Sequence, residues 1–171
     1  MAAVKAKGKL VSIVINNEYI KICEITKTGK NVIVHKTVTI PTPEGCYEDG
    51  ILENIPNLAS AIKAVMDEHR FASKDVAFSI SSPRLATKEV LIPNVKGDKV
   101  GKIVQANATE YFPVNMDEYI IQHTILEKIE DSGQDKLKLM VAAVPSEVAE
   151  SYYNLAKTLG FKIAFIDYVG N

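Results

Sequence analysis

A chain of 171 residues, of which 47% are apolar and 24% charged, is long enough to bury a core and has the composition of a globular protein. Its 20 basic and 21 acidic residues are interspersed and give a net charge of -1, which argues against binding to nucleic acid or directly to anionic membranes. No apolar run approaches the roughly 20 residues that span a bilayer, and no secretory signal peptide is recognised. Cys23 and Cys46 lie in unlike surroundings, which favours free thiols in a reducing cytoplasm.

The first forty residues have the pattern of three consecutive antiparallel strands. Residues 10–15 form a short β-branched run, and residues 19–26 and 31–40 alternate apolar and polar side chains. Asn16-Asn17 and Thr28-Gly29 are typical of the tight turns between such strands. These residues therefore predict a sheet that begins with two hairpins.

A helix and a buried strand follow after a proline-containing loop. Pro56 lies near the start of the predicted helix, and a single apolar stripe runs along it from Ile55 to His69. Residues 75–81 form the next apolar run. Three strands, a helix and a strand are the opening of a ribonuclease-H-like or actin-like half.

The pattern changes after Pro83. Residues 86–92 predict a strand, residues 100–111 a helix that Pro113 ends, and residues 118–127 and 136–144 two further strands. A third helix extends from Ser146 to Gly160, where glycine allows a left-handed stop. The last strand, at 162–168, has no covering helix after it, which predicts that the chain is part of a longer protein.

The hairpin at residues 15–21 is where an actin-like protein would hold phosphates with turn amides, a glycine and a carboxylate. Here the turn contains Asn16, Asn17 and Glu18, without glycine, and its only carboxylate would face the phosphates. Lys21 offers a positive charge, but an ordinary exposed lysine is the simpler interpretation.

No catalytic or metal site emerges from the remaining polar residues. His35, His69 and His123 lie on separate predicted elements without the spacing of metal ligands. Ser81-Ser82 lacks the glycine elbow and the neighbouring base that activate a nucleophilic serine. The sequence therefore predicts a binding protein rather than an enzyme.

Three phrases resemble the PilM family of type IV pilus assembly proteins, whose relative is the cell-division protein FtsA. They are VSIVINNEYIKICEI at 11–25, ATEYFPVNMDEY at 108–119 and LMVAAVPSEVAESYYNLAKTLGFKIAFID at 139–167. The resemblance implies an α/β fold with a mixed sheet, the first half of an actin-like protein. It assigns residues 1–82 and 161–171 to an incomplete subdomain 1A and residues 83–160 to an inserted 1C lobe of order strand-helix-strand-strand-helix.

The phosphate hairpin departs from the family pattern. Where relatives carry aspartate, glycine and serines, this chain has Val14, Asn16, Asn17 and Glu18, and only Lys21 falls at the family's lysine. Loss of the aspartate removes a ligand for metal and water, and loss of glycine hinders backbone approach to phosphate. We therefore expect no enzymatic activity and no cofactor in this chain, and ATP with Mg only as a possibility for the full-length protein.

The resemblance also implies a partner and a location. It implies a cytoplasmic adaptor held at the inner face of the membrane, which binds the N-terminal cytoplasmic peptide of a bitopic PilN-like protein in a groove between 1A and 1C. By analogy, the groove involves Ser81, Ser82, Arg84, Ile103, Asn107 and Tyr111.

Two alternatives remain open at the level of sequence: an FtsA-like division protein that self-associates through its inserted lobe, and a nucleotide-binding relative of ATPases or sugar kinases. A homodimer formed through the strand at 162–168 is a further expectation, because an uncovered sheet edge can pair with another chain.

Overall fold

The structure, a computed structural model, describes residues 8–28 and 31–168, apart from the side chain of Lys27. These residues belong to two compact units. The smaller unit is Arg84–Ser146, and the larger unit contains the described residues up to Pro83 together with those from Glu147 onward.

The strands and helices follow one another along the chain with short connections. The strands are β1 (Lys9–Ile15), β2 (Tyr19–Thr28), β3 (Asn31–Pro41), β4 (Tyr47–Glu48), β5 (Ile51–Leu52), β6 (Asp75–Ile80), β7 (Ala86–Pro93), β8 (Tyr119–Asp131), β9 (Gln134–Pro145) and β10 (Lys162–Tyr168). The helices are α1 (Ile55–Glu68), α2 (Lys99–Ala106), α3 (Ala108–Tyr111) and α4 (Ser146–Leu159), with a 3-10 turn at Met116–Glu118.

A five-stranded mixed sheet forms the centre of the larger unit, in the order β10-β6-β1-β2-β3. The first three strands pair antiparallel, while β1 with β6 and β6 with β10 pair parallel. The register places Ile13 beside Ile22 and Phe78 on one face of this sheet, and all three side chains are buried. The three predicted strands of the two hairpins, the helix and the apolar strand at 75–81 are confirmed as β1, β2, β3, α1 and β6, although Gly29 of the second predicted turn lies outside the described residues.

Helices α1 and α4 supply the remaining large buried side chains of the larger unit. Leu58 and Ile62 of α1 are buried, as the predicted stripe requires, but His69 lies past the helix end and is exposed. In α4 the Tyr152 ring meets the Phe78 ring edge-on, with 5.3 Å between centroids.

The position of α4 differs from the division drawn from sequence. Residues 83–160 were assigned to the inserted lobe, whereas from Glu147 onward the chain belongs to the larger unit. The Ser151 hydroxyl accepts a hydrogen bond from the Leu52 backbone N–H at 3.1 Å, which ties α4 to β5. Packing of α4 on Phe78 and Leu52 is the physical reason for the difference.

The smaller unit is a three-stranded antiparallel sheet, β7-β9-β8, with α2 and α3. Its core combines Leu139 and Val141 of β9 with Val100 and Val104 of α2 and Phe112. The single helix predicted at 100–111 is interrupted at Asn107, whose side-chain amide donates to the Ile103 carbonyl at 2.9 Å. The observed order of elements in this unit therefore contains two short helices.

One charged side chain of the larger unit is fully buried. The Glu24 carboxylate accepts a hydrogen bond from the Ala72 backbone N–H at 2.9 Å and from the Lys9 ammonium at 3.1 Å. Burial raises the pKa of Glu24, but the hydrogen bonds from Ala72 and Lys9 and the positive charges of Lys9 and Lys36 together outweigh it, so the pKa lies below its ordinary value. The pair stabilises the connection between β2 and the segment that follows α1.

Substitution Glu24→Gln is expected to lower the free energy of unfolding at pH 7 by about 1–3 kcal/mol. The neutral amide loses the ion pair with Lys9 and accepts a weaker hydrogen bond from the Ala72 N–H than a carboxylate does. A carboxylate with a depressed folded pKa contributes stability above its unfolded pKa of about 4.3 and loses it as the pH falls through the folded value. Urea unfolding at pH 7 and at acidic pH should therefore show the difference between wild type and variant shrinking in acid.

The exposed Glu18 supplies the control. Glu18→Gln makes the same chemical change at the surface, and we expect it to leave stability within about 0.5 kcal/mol. Equal pH dependence in the wild type and Glu24→Gln would contradict a role for Glu24 in stability.

Candidate functional site

The turn between β1 and β2 is closed by its own asparagine. The Asn16 Oδ1 atom accepts hydrogen bonds from the backbone N–H groups of Glu18 at 2.9 Å and Tyr19 at 2.8 Å. The Asn16 N–H in turn donates to the Tyr19 carbonyl at 3.1 Å. Three turn amides that a phosphate-binding hairpin would direct at its ligand are thus engaged within the turn.

Thr42, which follows β3, also forms hydrogen bonds with this turn. The Thr42 hydroxyl donates to the Asn16 carbonyl at 2.7 Å, and the Thr42 N–H donates to the Glu18 carbonyl at 3.1 Å. The side chains of Asn17 and Glu18 point into solvent. These bonds fix the backbone of the turn, and the exposed side chains at its tip are the Asn17 amide and the Glu18 carboxylate.

Lys21 lies on β2, one residue beyond the buried Ile20, and its side chain is exposed. In the sheet its neighbours are Val14 on β1 and Thr39 on β3. The structure thus brings Asn16, Asn17 and Glu18 together at the turn and places Lys21 on the adjoining sheet face.

The strand end at Ser81 and Ser82 is covered by the β4–β5 hairpin, which sequence periodicity did not reveal because each strand has two residues. The Tyr47 hydroxyl donates to the Ser81 carbonyl at 2.5 Å, and the Ser82 hydroxyl donates to the Asp49 carbonyl at 2.6 Å. Gly50, at the hairpin tip, approaches so closely that an added Cβ would lie 2.4 Å from the Ser82 Cβ. Ser82 is therefore a structural donor in this arrangement.

Tyr152 lies on the buried face of α4, where its ring contacts Phe78. Its hydroxyl is buried and has no hydrogen-bond partner among the described residues. Burial, with a smaller contribution from Tyr47, raises the pKa of Tyr152 well above its ordinary value. The phenol consequently stays neutral at physiological pH.

The predicted groove residues are divided between the two units. Ser81 and Ser82 belong to the larger unit, and the other four belong to the smaller unit: Arg84, Ile103, Asn107 and Tyr111. Ile103 and Tyr111 are half-buried against the core of the smaller unit, and Asn107 bonds to Ile103. The Arg84 side chain is exposed.

The three histidines occupy unrelated positions. His35 is hydrogen-bonded through Nε2 to the Thr26 hydroxyl at 2.8 Å, His69 follows α1, and the His123 ring faces Gly101 in the smaller unit. Across residues 8–28 and 31–168, no group of three or more His, Cys, Asp and Glu side chains is arranged to hold a metal ion. No helix in the same part of the chain is long and apolar enough to cross a membrane.

Comparison with known proteins identifies a family and a fold. The model of the family described as type IV pilus assembly protein PilM matches residues 12–169. A solved PilM-PilN type IV pilus biogenesis complex is similar with a TM-score of 0.82 and 20% identity, over 95% of this chain and 48% of that chain. Comparison with curated proteins gives no match.

A second solved structure is similar at lower identity. The cytoplasmic domain of EpsL, an inner membrane component of the type II secretion system of Vibrio cholerae, aligns with a TM-score of 0.57 and 8% identity. The alignment covers 94% of this chain and 57% of that one. The chain therefore spans about half the length of the solved structures that it matches.

These matches and the mixed sheet confirm the predicted α/β class. The family match extends over nearly all of the 171 residues. The chain belongs to the PilM family of type IV pilus assembly proteins.

Proposed function

We propose that this chain is part of a cytoplasmic adaptor of type IV pilus assembly that binds a short peptide of a bitopic inner-membrane protein. The observation that carries the proposal is the family match over residues 12–169. The similar solved structure is a complex of PilM with PilN, which supports a PilN-like protein as the partner. The partner would hold the adaptor at the inner face of the membrane.

The proposed peptide site needs a surface that binds a peptide but no catalytic groups. An extended peptide binds through backbone pairing and through side chains that enter shallow depressions. Within the smaller unit, half-buried Ile103 and Tyr111 offer apolar area, and within the larger unit the Ser81 side chain is exposed just after β6. Ser82, Arg84 and Asn107 are further residues that the sequence resemblance predicts to contact the peptide.

The proposal includes no enzymatic activity and no bound cofactor. The Asn16 side chain occupies the amides of Glu18 and Tyr19, so a phosphate would have to displace it. The Glu18 carboxylate at the same turn would repel a nucleotide phosphate. Both features support binding of a protein partner rather than hydrolysis of ATP.

Calorimetric titration with a synthetic peptide of the N-terminal cytoplasmic residues of the PilN-like protein tests the proposal. We expect saturable binding, and we expect Ser81→Tyr to weaken it at least tenfold because the larger side chain would fill the proposed site. Ser60→Tyr, the same change on the exposed surface of α1 in the same unit, should leave binding unchanged. Absence of saturable heat with the wild type would contradict the adaptor function.

The same chain titrated with ATP and Mg²⁺ tests the second part of the proposal. We expect no saturable heat, because the hairpin amides are already bonded. Binding of ATP without binding of the peptide would favour a nucleotide-dependent function.

A further inference from the structure

The two edges of the five-stranded sheet differ in character. At one edge, β10 carries the charged residues Lys162 and Asp167. At the other edge, β3 exposes three consecutive apolar side chains: Val32 is 56% exposed, Ile33 51% and Val34 58%. Residues 31–35 are called the β3 edge segment below. A long apolar edge strand is a template for pairing with another strand.

The direction of the backbone groups in this segment follows from the hairpin bonds. The Asn16 N–H bonds to the Tyr19 carbonyl, and the Thr42 N–H bonds to the Glu18 carbonyl. Because bonding direction alternates along a strand, odd-numbered residues of β2 bond toward β1 and even-numbered residues toward β3.

Thr26 of β2 is even-numbered and pairs with Ile33, and Thr28 pairs with Asn31. Asn31 and Ile33 therefore bond inward to β2, whereas the N–H and C=O groups of Val32 and Val34 point away from the sheet. The register shifts between Glu24 and Ile25 because β3 has one extra residue there, His35. Since β2 has no extra residue, the alternation counted along β2 still holds at Thr26 and Thr28. Val32 and Val34 therefore each direct one backbone N–H and one C=O toward the open edge of the sheet.

We propose that the β3 edge segment pairs antiparallel with the same segment of a second copy of this chain, about a two-fold axis through Ile33. In this register Val32 faces Val34 of the second copy, and these two residues carry the outward backbone groups, so about four backbone hydrogen bonds form. Ile33 faces its own equivalent, and Asn31 faces His35.

The side chains are compatible with this register. Cross-strand apolar pairs stabilise a sheet, and the β3 edge segment itself contains no formally charged side chain. The His35 ring is held by Thr26, and the Lys36 ammonium is bonded to the carbonyls of His69 and Arg70. The strand thus presents a self-complementary apolar centre.

The expected association is weak, because a pairing of about five residues per copy buries less than the roughly 1,200 Å² of a standard specific interface. Sedimentation velocity over a wide concentration range should show a reversible monomer–dimer equilibrium. Ile33→Lys should reduce the association constant at least tenfold, because two ammonium groups would meet across the axis. Ile125→Lys is the control, since Ile125 lies on β8 of the smaller unit and is 48% exposed.

Disulfide cross-linking tests the proposed register of the two β3 edge segments. Residues that face each other in a non-hydrogen-bonded pair have Cα atoms about 4.5 Å apart, within the range of a disulfide. Ile33→Cys should therefore form a covalent dimer on mild oxidation. Thr39→Cys, an exposed position further along β3, should not, because its equivalents would be on the order of 40 Å apart. The oxidised wild type controls for Cys23 and Cys46.

A chain that stays monomeric at all concentrations would overturn the proposal, as would a dimer that Ile33→Lys leaves intact. A dimer weakened equally by Ile125→Lys would also overturn it. Cross-linking by Thr39→Cys instead of Ile33→Cys would place the pairing in another register and contradict the axis through Ile33.

Discussion

Tyr152→Ala is expected to lower the free energy of unfolding by about 3–5 kcal/mol, the usual cost of truncating a buried aromatic ring. Tyr152 is completely buried, and its ring makes an edge-on contact with Phe78 at 5.3 Å between centroids. Removal of the ring leaves a cavity beside β6 and ends the aromatic contact. Urea unfolding followed by circular dichroism measures the change.

Tyr152→Phe separates the ring from the hydroxyl. Because the hydroxyl is buried without a partner among the described residues, its removal should leave stability unchanged or raise it by about 1 kcal/mol. A clear loss of stability in Tyr152→Phe would mean that the hydroxyl is hydrogen-bonded in solution, for example to an internal water.

The neighbouring Tyr153 is the control for the alanine substitution. It is 59% exposed, so Tyr153→Ala should change stability by no more than about 0.5 kcal/mol. Equal losses in Tyr152→Ala and Tyr153→Ala would contradict burial of the Tyr152 ring as the cause of its contribution to stability.

Gly50→Ala is expected to destabilise the chain by about 2–4 kcal/mol, from backbone strain and from a steric clash together. Gly50 has a φ of 97°, a conformation that side chains rarely adopt, and its added Cβ would lie 2.4 Å from the Ser82 Cβ. Since Ser82 also donates to the Asp49 carbonyl, the hairpin cannot move away without breaking that bond. Denaturant unfolding would show the loss.

Gly45→Ala separates the two causes. Gly45 also has a positive φ, 68°, but an added Cβ would meet nothing within 4 Å. We expect a loss of only about 1 kcal/mol, from the backbone conformation alone. If both variants lost the same stability, the contact between Gly50 and Ser82 would contribute nothing.

The strands of the larger unit were predictable because their side chains alternate over several residues. Residues 162–168 coincide with β10, and residues 10–15 fall within β1. An alternating strand has one apolar face at any place in the sheet, so the local sequence pattern is enough to predict it. The β4–β5 hairpin was not predictable, since two residues per strand carry no period.

The features of the candidate site were likewise only partly predictable from the sequence. The Asn16-Asn17 pair indicated a tight turn correctly, because asparagine side chains bond to nearby backbone amides. The peptide groove and the homodimer through β10 stay predictions. The buried hydroxyl of Tyr152 gave no signal in sequence, because tyrosine fits an apolar helical stripe as well as phenylalanine does.

Local sequence thus determined the longer strands, the main helices and the Asn16-Asn17 turn, since each depends on residue types within a few positions. Tertiary structure alone decided that α4 belongs with the larger unit, that Glu24 is buried against Lys9 and Ala72, and that Gly50 packs on Ser82. The physical reason is that these contacts join residues 15 to 99 positions apart, and only the packing of the whole chain brings such residues together.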